Sequence, residues 1–295
     1  MKNKLPDVSE INIEEALEKT LLYSKLFNSG VKINELHSFL LEREVTKEQL
    51  EIAIKSLLAK NLISINDGTV ILNRSVEHFY KRKNKTLDSR LINKILKILR
   101  QIPFISTIAF SGGTANYGIE NHEDIDLFII TKPYTVYIVY FIIHMTALLL
   151  KSREIVCTNY LIDEKEIQIK IQHDLFTAYQ IITLVPFKNK SFMNYFLKRN
   201  EWVKSHYPNF AIPETMRYKN PALFIIFRPL NLIFKFLYRF RYKKYLSLSN
   251  NGEILLSEHI IKLHTHDYRL KTLNEFQNQW EKYTSEKNDV PVLSS

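Results

Sequence analysis

The stretch from residue 104 to residue 162 limits the fold of this chain more than any other. FISTIAF (104–110), DIDLFIIT (124–131) and EIVCTNYLI (154–162) are short, apolar and rich in β-branched and aromatic residues, so each reads as a strand. Ser-Gly-Gly and the helix-like turn TANYGI separate the first two, and the apolar run YTVYIVYFIIHMTALLL (134–150) separates the second from the third. Strand–turn–strand–helix–strand calls for a sheet layer with a covering helix, an α/β or α+β arrangement. The run 134–150 could also be a short transmembrane span. At 17 residues, with His144 inside, it sits at the lower limit for crossing a bilayer. Its place directly after a strand favours a helix buried against the sheet.

The flanking segments complete an α+β expectation. Residues 12–27 have the apolar spacing of an amphipathic helix, which Gly30 ends. A second helix is expected over 33–44. A third runs from Thr46 to about Asn61, with Thr46 and Gln49 spaced as a capping box. LISI and TVIL then flank Asn66-Asp67-Gly68, a strong hairpin signal. Three helices followed by a hairpin is the order of a winged helix. Helices are further expected over 75–101, 173–206, 221–246 (interrupted by Pro229) and the 20 or so residues before 284. The expected division is a winged-helix module (1–75), a basic helical connector (76–103), a catalytic core built on a mixed sheet (104–190) and a helical C-terminal region (191–295).

The net charge of +10 is unevenly spread. Residues 74–100 hold nine Lys or Arg against two acids, and residues 215–252 hold eight and no acid, so the rest of the chain is net negative. Such local basic character suits nucleotides, nucleic acid or a lipid surface, although solvated helix faces would look the same. Residues 1–66 carry nine Lys or Arg and ten acids. A DNA reader needs a cationic face to neutralise phosphates, so DNA binding by the winged helix is not expected, and a protein-contact or structural role is. The single Cys157 excludes an internal disulfide and a cysteine-based zinc cluster, which fits a reducing, cytoplasmic setting. Its apolar surroundings point to a buried structural thiol. The N-terminal MKNKLPDVSEINIEEALEK has no apolar core of the signal-peptide kind.

Chemistry concentrates at FSGGTANYGIENHEDIDLFIIT (110–131). Gly112 and Gly113 follow a strand and precede a helical turn, where glycines let backbone N–H groups approach a phosphate. Ser111 and Thr114 can add hydroxyls. Asp124 and Asp126 are two apart on a strand and so share a face, while Ile125 and Leu127 point to the opposite one. A carboxylate pair of this kind can hold divalent ions that align an attacking oxygen with a leaving pyrophosphate.

This glycine pair, followed about ten residues later by Asp-hydrophobic-Asp-hydrophobic, resembles the DNA polymerase beta-like nucleotidyltransferase superfamily. More loosely, the chain as a whole resembles bacterial proteins that join a winged helix to a nucleotidyltransferase domain and have no defined substrate. The resemblance implies that Ser111, Gly112, Gly113 and Thr114 bind the triphosphate and that Asp124 and Asp126 bind Mg2+ or Mn2+. The co-substrate would be a nucleoside triphosphate, ATP first among them. The acceptor would be a small molecule, a protein side chain or an RNA end. The family has Ser where this chain has Gly113, a hydroxyl that Thr114 or Ser111 could replace. It also has a third carboxylate on a later strand. The strand 155–162 has no interior acid, and Asp163 at its end is preferred over Glu154 for that role. The alternative is a nucleotide-sensing winged-helix regulator with a catalytically weak transferase-like domain.

Weaker candidates have plainer readings. Lys132 reads as a solvated strand-end lysine, His122 and Glu123 as a rim loop, and His264, His266 and Asp267 as a surface polar cluster. In FIIFRPLNLIFKFLYRFRYKKY, bases and aromatics interleave. It could lie on a membrane surface or contact nucleic acid, but packing of its apolar face on the catalytic domain is preferred.

Overall fold

The computed structural model describes residues 12–27, 29–73, 89–117, 124–215, 222–243, 254–263 and 268–288. His122, Glu123, His264, His266, Asp267 and residues 74–88 of the basic connector lie outside them. The architecture is mixed α and β.

The N-terminal part runs α1 (Ile13–Leu26), β1 (Val31–Lys32), α2 (Leu36–Phe39), α3 (Lys47–Ala59), β2 (Ile63–Asn66) and β3 (Thr69–Leu72). The strands form an antiparallel sheet in the order β1-β3-β2. The Thr46–Gln49 capping box is formed at the start of α3. The β2–β3 turn has positive φ at both Asp67 and Gly68, the conformation that a two-residue hairpin needs for its strands to twist together. The helix expected over 33–44 shrinks to the single turn α2, because Val31–Lys32 is drawn into the sheet and Leu40 is already extended.

Next come α4 (Ser89–Gln101), β4 (Ile105–Phe110), α5 (Gly112–Tyr117), β5 (Ile125–Thr131), α6 (Val136–Leu149) and β6 (Val156–Asp163). They are followed by α7 (Leu175–Ile182), β7 (Val185–Lys188), α8 (Lys190–Arg199), α9 (Arg228–Arg241), β8 (Ile254–Leu256), β9 (Ile260–Leu263) and α10 (Tyr268–Asn288). A six-stranded sheet of order β7-β4-β5-β6-β9-β8 forms the centre. β5 and β6 are parallel, joined through α6, and the other pairs are antiparallel.

Both faces of this sheet are covered. Ile125, Leu127 and Ile129 pack with Ile95 and Leu99 of α4 and with Val136, Val139 and Ile143 of α6. Phe128 and Ile130 point the other way, into a cluster with Ala178 and Ile182 of α7, Phe192 and Phe196 of α8, and Tyr23 and Leu26 of α1. The period-2 alternation read from the sequence is thus the one observed. α6 is the buried covering helix expected, and among the described residues no helix is long and apolar enough to cross a membrane.

Two expectations need correction. Residues 173–206 are not continuously helical. Val185–Lys188 breaks them as the edge strand β7, the place in a sheet where a residue such as Pro186, lacking an N–H, is tolerated. The C-terminal region is not purely helical either, since β8 and β9 extend the sheet beyond β6. α10 then returns to the N-terminal module. Tyr283 is buried in that module's core, its hydroxyl donates to Glu18 Oε1 at 3.0 Å, and Lys287 Nζ lies 2.7 Å from Glu18 Oε2.

Candidate metal and nucleotide site

β4 and β5 are antiparallel neighbours, with Phe110 opposite Leu127, so the chain leaving β4 at Ser111 lies beside the start of β5. The Ser111 N–H donates to the Asp126 carbonyl at 3.0 Å. Gly112 follows with φ +52, in the left-handed region that glycine enters at little cost. A Cβ at this position would lie 2.9 Å from Asp126 Oδ2. The glycine is therefore required by close approach as well as by backbone conformation. The Gly113 N–H hydrogen-bonds the Asp126 carboxylate. The glycine pair and the second aspartate thus form one structural unit, as their spacing in sequence suggested.

Thr114 has a different place from the one expected. Its hydroxyl accepts the Asp126 N–H at 2.9 Å and donates to the Asp124 carbonyl at 3.3 Å. The residue is buried, and its side chain ties α5 to the backbone of both aspartates. A hydroxyl engaged in this way holds the two aspartates in position.

Burial acts first on the Asp126 carboxyl, and the neighbouring charge of Asp124 adds to it. The donation from Gly113 opposes both, and the net effect moves the pKa from 3.8 up to about 7. A carboxylate that is costly to ionise, beside another carboxylate, is what a cation would relieve.

Beside Asp126 in the parallel β5–β6 register sits Cys157. Ligand atoms of Asp124, Asp126 and Cys157 all lie within 4.8 Å of one another. Among the described residues, the third potential metal ligand is therefore a thiol rather than a carboxylate. Cys157 is half-buried and part of this cluster, not a thiol sunk in an apolar core. No local sequence signal marks this adjacency, because it arises from strand register.

Asp163 does not join the cluster. It pairs with Thr131 at the far end of the same two strands, six residues from Cys157, or about 20 Å along the strand. There it is fully buried, and its carboxylate accepts from the Tyr134 N–H (2.8 Å), the Lys165 N–H (2.9 Å) and His259 Nδ1 (2.7 Å). Asp163 joins the β5–α6 loop to the β8–β9 hairpin and is corrected here from third catalytic acid to structural corner. Lys132 and Glu164 belong to the same end. Their ion pair spans 2.8 Å, and Ser106 hydrogen-bonds the same Glu164 oxygen. Lys132 is therefore not the solvated lysine that its position after a strand suggested.

A cleft of about 470 Å3 lies between the N-terminal module and the sheet domain, lined in part by Tyr23, Gly30, Asn116, Tyr179 and Val185. Asn116 is one helical turn beyond Gly112, so the cleft opens roughly 6 Å along α5 from the Asp126 contact.

Comparison with models of protein families, with curated proteins and with solved structures found no match to this chain.

Proposed function

We propose that this chain is a divalent-metal-dependent nucleotidyltransferase of the DNA polymerase beta-like kind. It would move a nucleoside monophosphate from a triphosphate to an acceptor hydroxyl and release pyrophosphate. The observation that carries this reading is the unit formed by Gly112, Gly113 and Asp126 beside Asp124, with a carboxyl whose pKa is displaced to about 7. Two carboxylates suit hard ions such as Mg2+ or Mn2+, which Asp124 and Asp126 would hold. The thiol of Cys157 is a poor ligand for either ion. A bound ion would neutralise phosphate oxygens and align attacking and leaving groups. The chain's own contribution is to fix the carboxylates through Thr114 and Gly113, and to offer the turn at Ser111–Gly113 to the triphosphate. The cleft at Asn116 is where we place the nucleoside or the acceptor, which would be a small molecule, a protein side chain or an RNA end.

The N-terminal order, with β1 closing onto β3, supports a winged-helix module in a contact or structural role, and the single cysteine supports a cytoplasmic setting. A second reading has one observation in its favour. With Cys157 where a third carboxylate is expected, the site could sense nucleotide and transfer weakly. Labelled nucleoside triphosphates with Mg2+ or Mn2+ and cell extract separate the two readings, beside the Asp124→Ala/Asp126→Ala double variant. Transfer requires labelled acceptor with the natural protein only. Labelling by neither protein, with equal nucleotide binding by both, would remove both the enzyme and the metal site.

A further inference from the structure

We propose that the face built by residues 222–227 and α9 docks peripherally on an anionic lipid bilayer. The sequence favoured burial of this segment's apolar side chains against the sheet domain, and the structure places them outside. On α9 only Asn231 and Tyr238 are buried, with Phe234 stacked on Phe141 at 4.6 Å. The inward face is firmly held. Asn231 Oδ1 accepts the Tyr137 N–H at 2.9 Å, the Tyr140 and Tyr242 hydroxyls meet at 3.0 Å, and Arg228 pairs with Glu258 at 2.7 Å.

The opposite face carries Ile233, Phe236, Leu237 and Phe240, and the preceding 3-10 turn adds Leu223 and Ile226, all exposed. Phe236 is 72% exposed and Phe240 76%. Those two rings alone present roughly 300 Å2 of apolar surface, about as much as the largest patch on many whole monomers. Turning about 100° per residue, the helix sets Lys235 and Arg239 along one flank of the apolar stripe and Arg241 along the other. An apolar stripe between cationic flanks is the arrangement of a helix lying in the headgroup layer, its apolar side chains in the acyl boundary and its bases on anionic lipid.

Charge and side-chain type favour this occupant. Residues 215–252 contain eight Lys or Arg and no acid, so a second copy of the same face would set like charges together. Leucine and isoleucine supply much of the stripe and offer no ring on which a nucleic-acid base could stack. α9 packs on the α6 side of the sheet, whereas Asp126 alternates to the α7–α8 side, so docking would leave the carboxylate pair uncovered.

The test is flotation of the full chain with vesicles of phosphatidylcholine alone or with 30 mol% phosphatidylserine, at low and high salt. The natural protein should float with the anionic vesicles and be released by salt. Phe236→Ser/Phe240→Ser should abolish flotation. Arg239→Gln/Arg241→Gln should weaken it by about tenfold or more, the worth of two surface cations. All four side chains are exposed, so both double variants should melt like the natural protein, which separates lost docking from lost folding. The proposal is overturned if the natural protein stays in the aqueous fraction with both vesicles. It is equally overturned if either variant floats unchanged, or if the Phe236-dependent partner proves to be a second copy, an RNA oligonucleotide or an acidic protein while vesicles are ignored.

Discussion

Replacing Asp126 by Asn removes the ionisation that the fold resists while keeping shape and one oxygen acceptor. In the native state the Asp126 carboxyl titrates near 7 against an ordinary 3.8, with burial as the larger cause and the Asp124 charge as the smaller. A raised native pKa favours folding fully below the unfolded value and is lost as pH rises through the folded one. Between pH 3.8 and about 7 the native state is therefore progressively penalised. At about 1.36 kcal/mol per pH unit, that gap costs about 4 kcal/mol once Asp126 is fully ionised. The metal-free variant should thus be more stable than the natural protein by about 4 kcal/mol at pH 8. For a chain of this size that is a rise in Tm of roughly 8 °C. Near pH 4 the two should melt together. Divalent metal narrows the gap: at a hundredfold excess over Kd it adds about 2.7 kcal/mol to the natural protein and nothing to the variant. Thermal melts in chelator and in Mn2+, at pH 4 and pH 8, read all four conditions. A variant less stable than the natural protein at pH 8 in chelator, or one that keeps the metal response, would contradict a strained, metal-binding Asp126.

Other substitutions probe the same frame. Cys157→Asp supplies the missing carboxylate. It should lower metal-free stability through added like charge and tighten Mg2+ binding at least tenfold, as measured by calorimetric titration. Gly112→Ala forces a Cβ to 2.9 Å from Asp126 Oδ2 at φ +52, with a strain of about 1–2 kcal/mol. It should weaken Mn2+ binding and lower the urea midpoint together. His259→Ala removes the 2.7 Å contact with buried Asp163, at a cost of about 2 kcal/mol. The hydrogen bond to Asp163 holds the His259 pKa above 6.5. Its contribution is complete below pH 6.5 and fades as pH rises through the raised value. Urea melts should therefore show the gap between natural protein and variant widest at pH 6 and narrowest at pH 9.

The central motif was legible because it is local. A glycine pair after one strand and alternating aspartates at the head of its antiparallel neighbour lie within twenty residues, and strand period fixes their faces. The capping box of α3 and the Asp67-Gly68 turn are legible for the same reason. What escaped depends on distant register. Cys157 reaches the carboxylates only because β6 is parallel to β5 at that offset, and the same register carries Asp163 to the far end. The tie of the Thr114 hydroxyl to the Asp124 and Asp126 backbone likewise arises only once α5 folds back on the head of β5. β7 hides behind Pro186, and β8 and β9 are too short to show periodicity. The apolar stripe on α9 has the spacing of a core-facing helix. Only the position of Asn231 and Tyr238 shows which face turns inward.

In the proposed function, Asp124 and Asp126 form a divalent-metal site that serves a nucleotide. Titration of Mn2+ followed by electron paramagnetic resonance, with and without ATP, tests it most directly. The free Mn2+ signal should fall on addition of the natural protein. ATP should deepen the loss, and Asp124→Asn/Asp126→Asn should restore the signal in the absence of nucleotide. Equal Mn2+ binding by the natural protein and the double variant, or none by either, would contradict it.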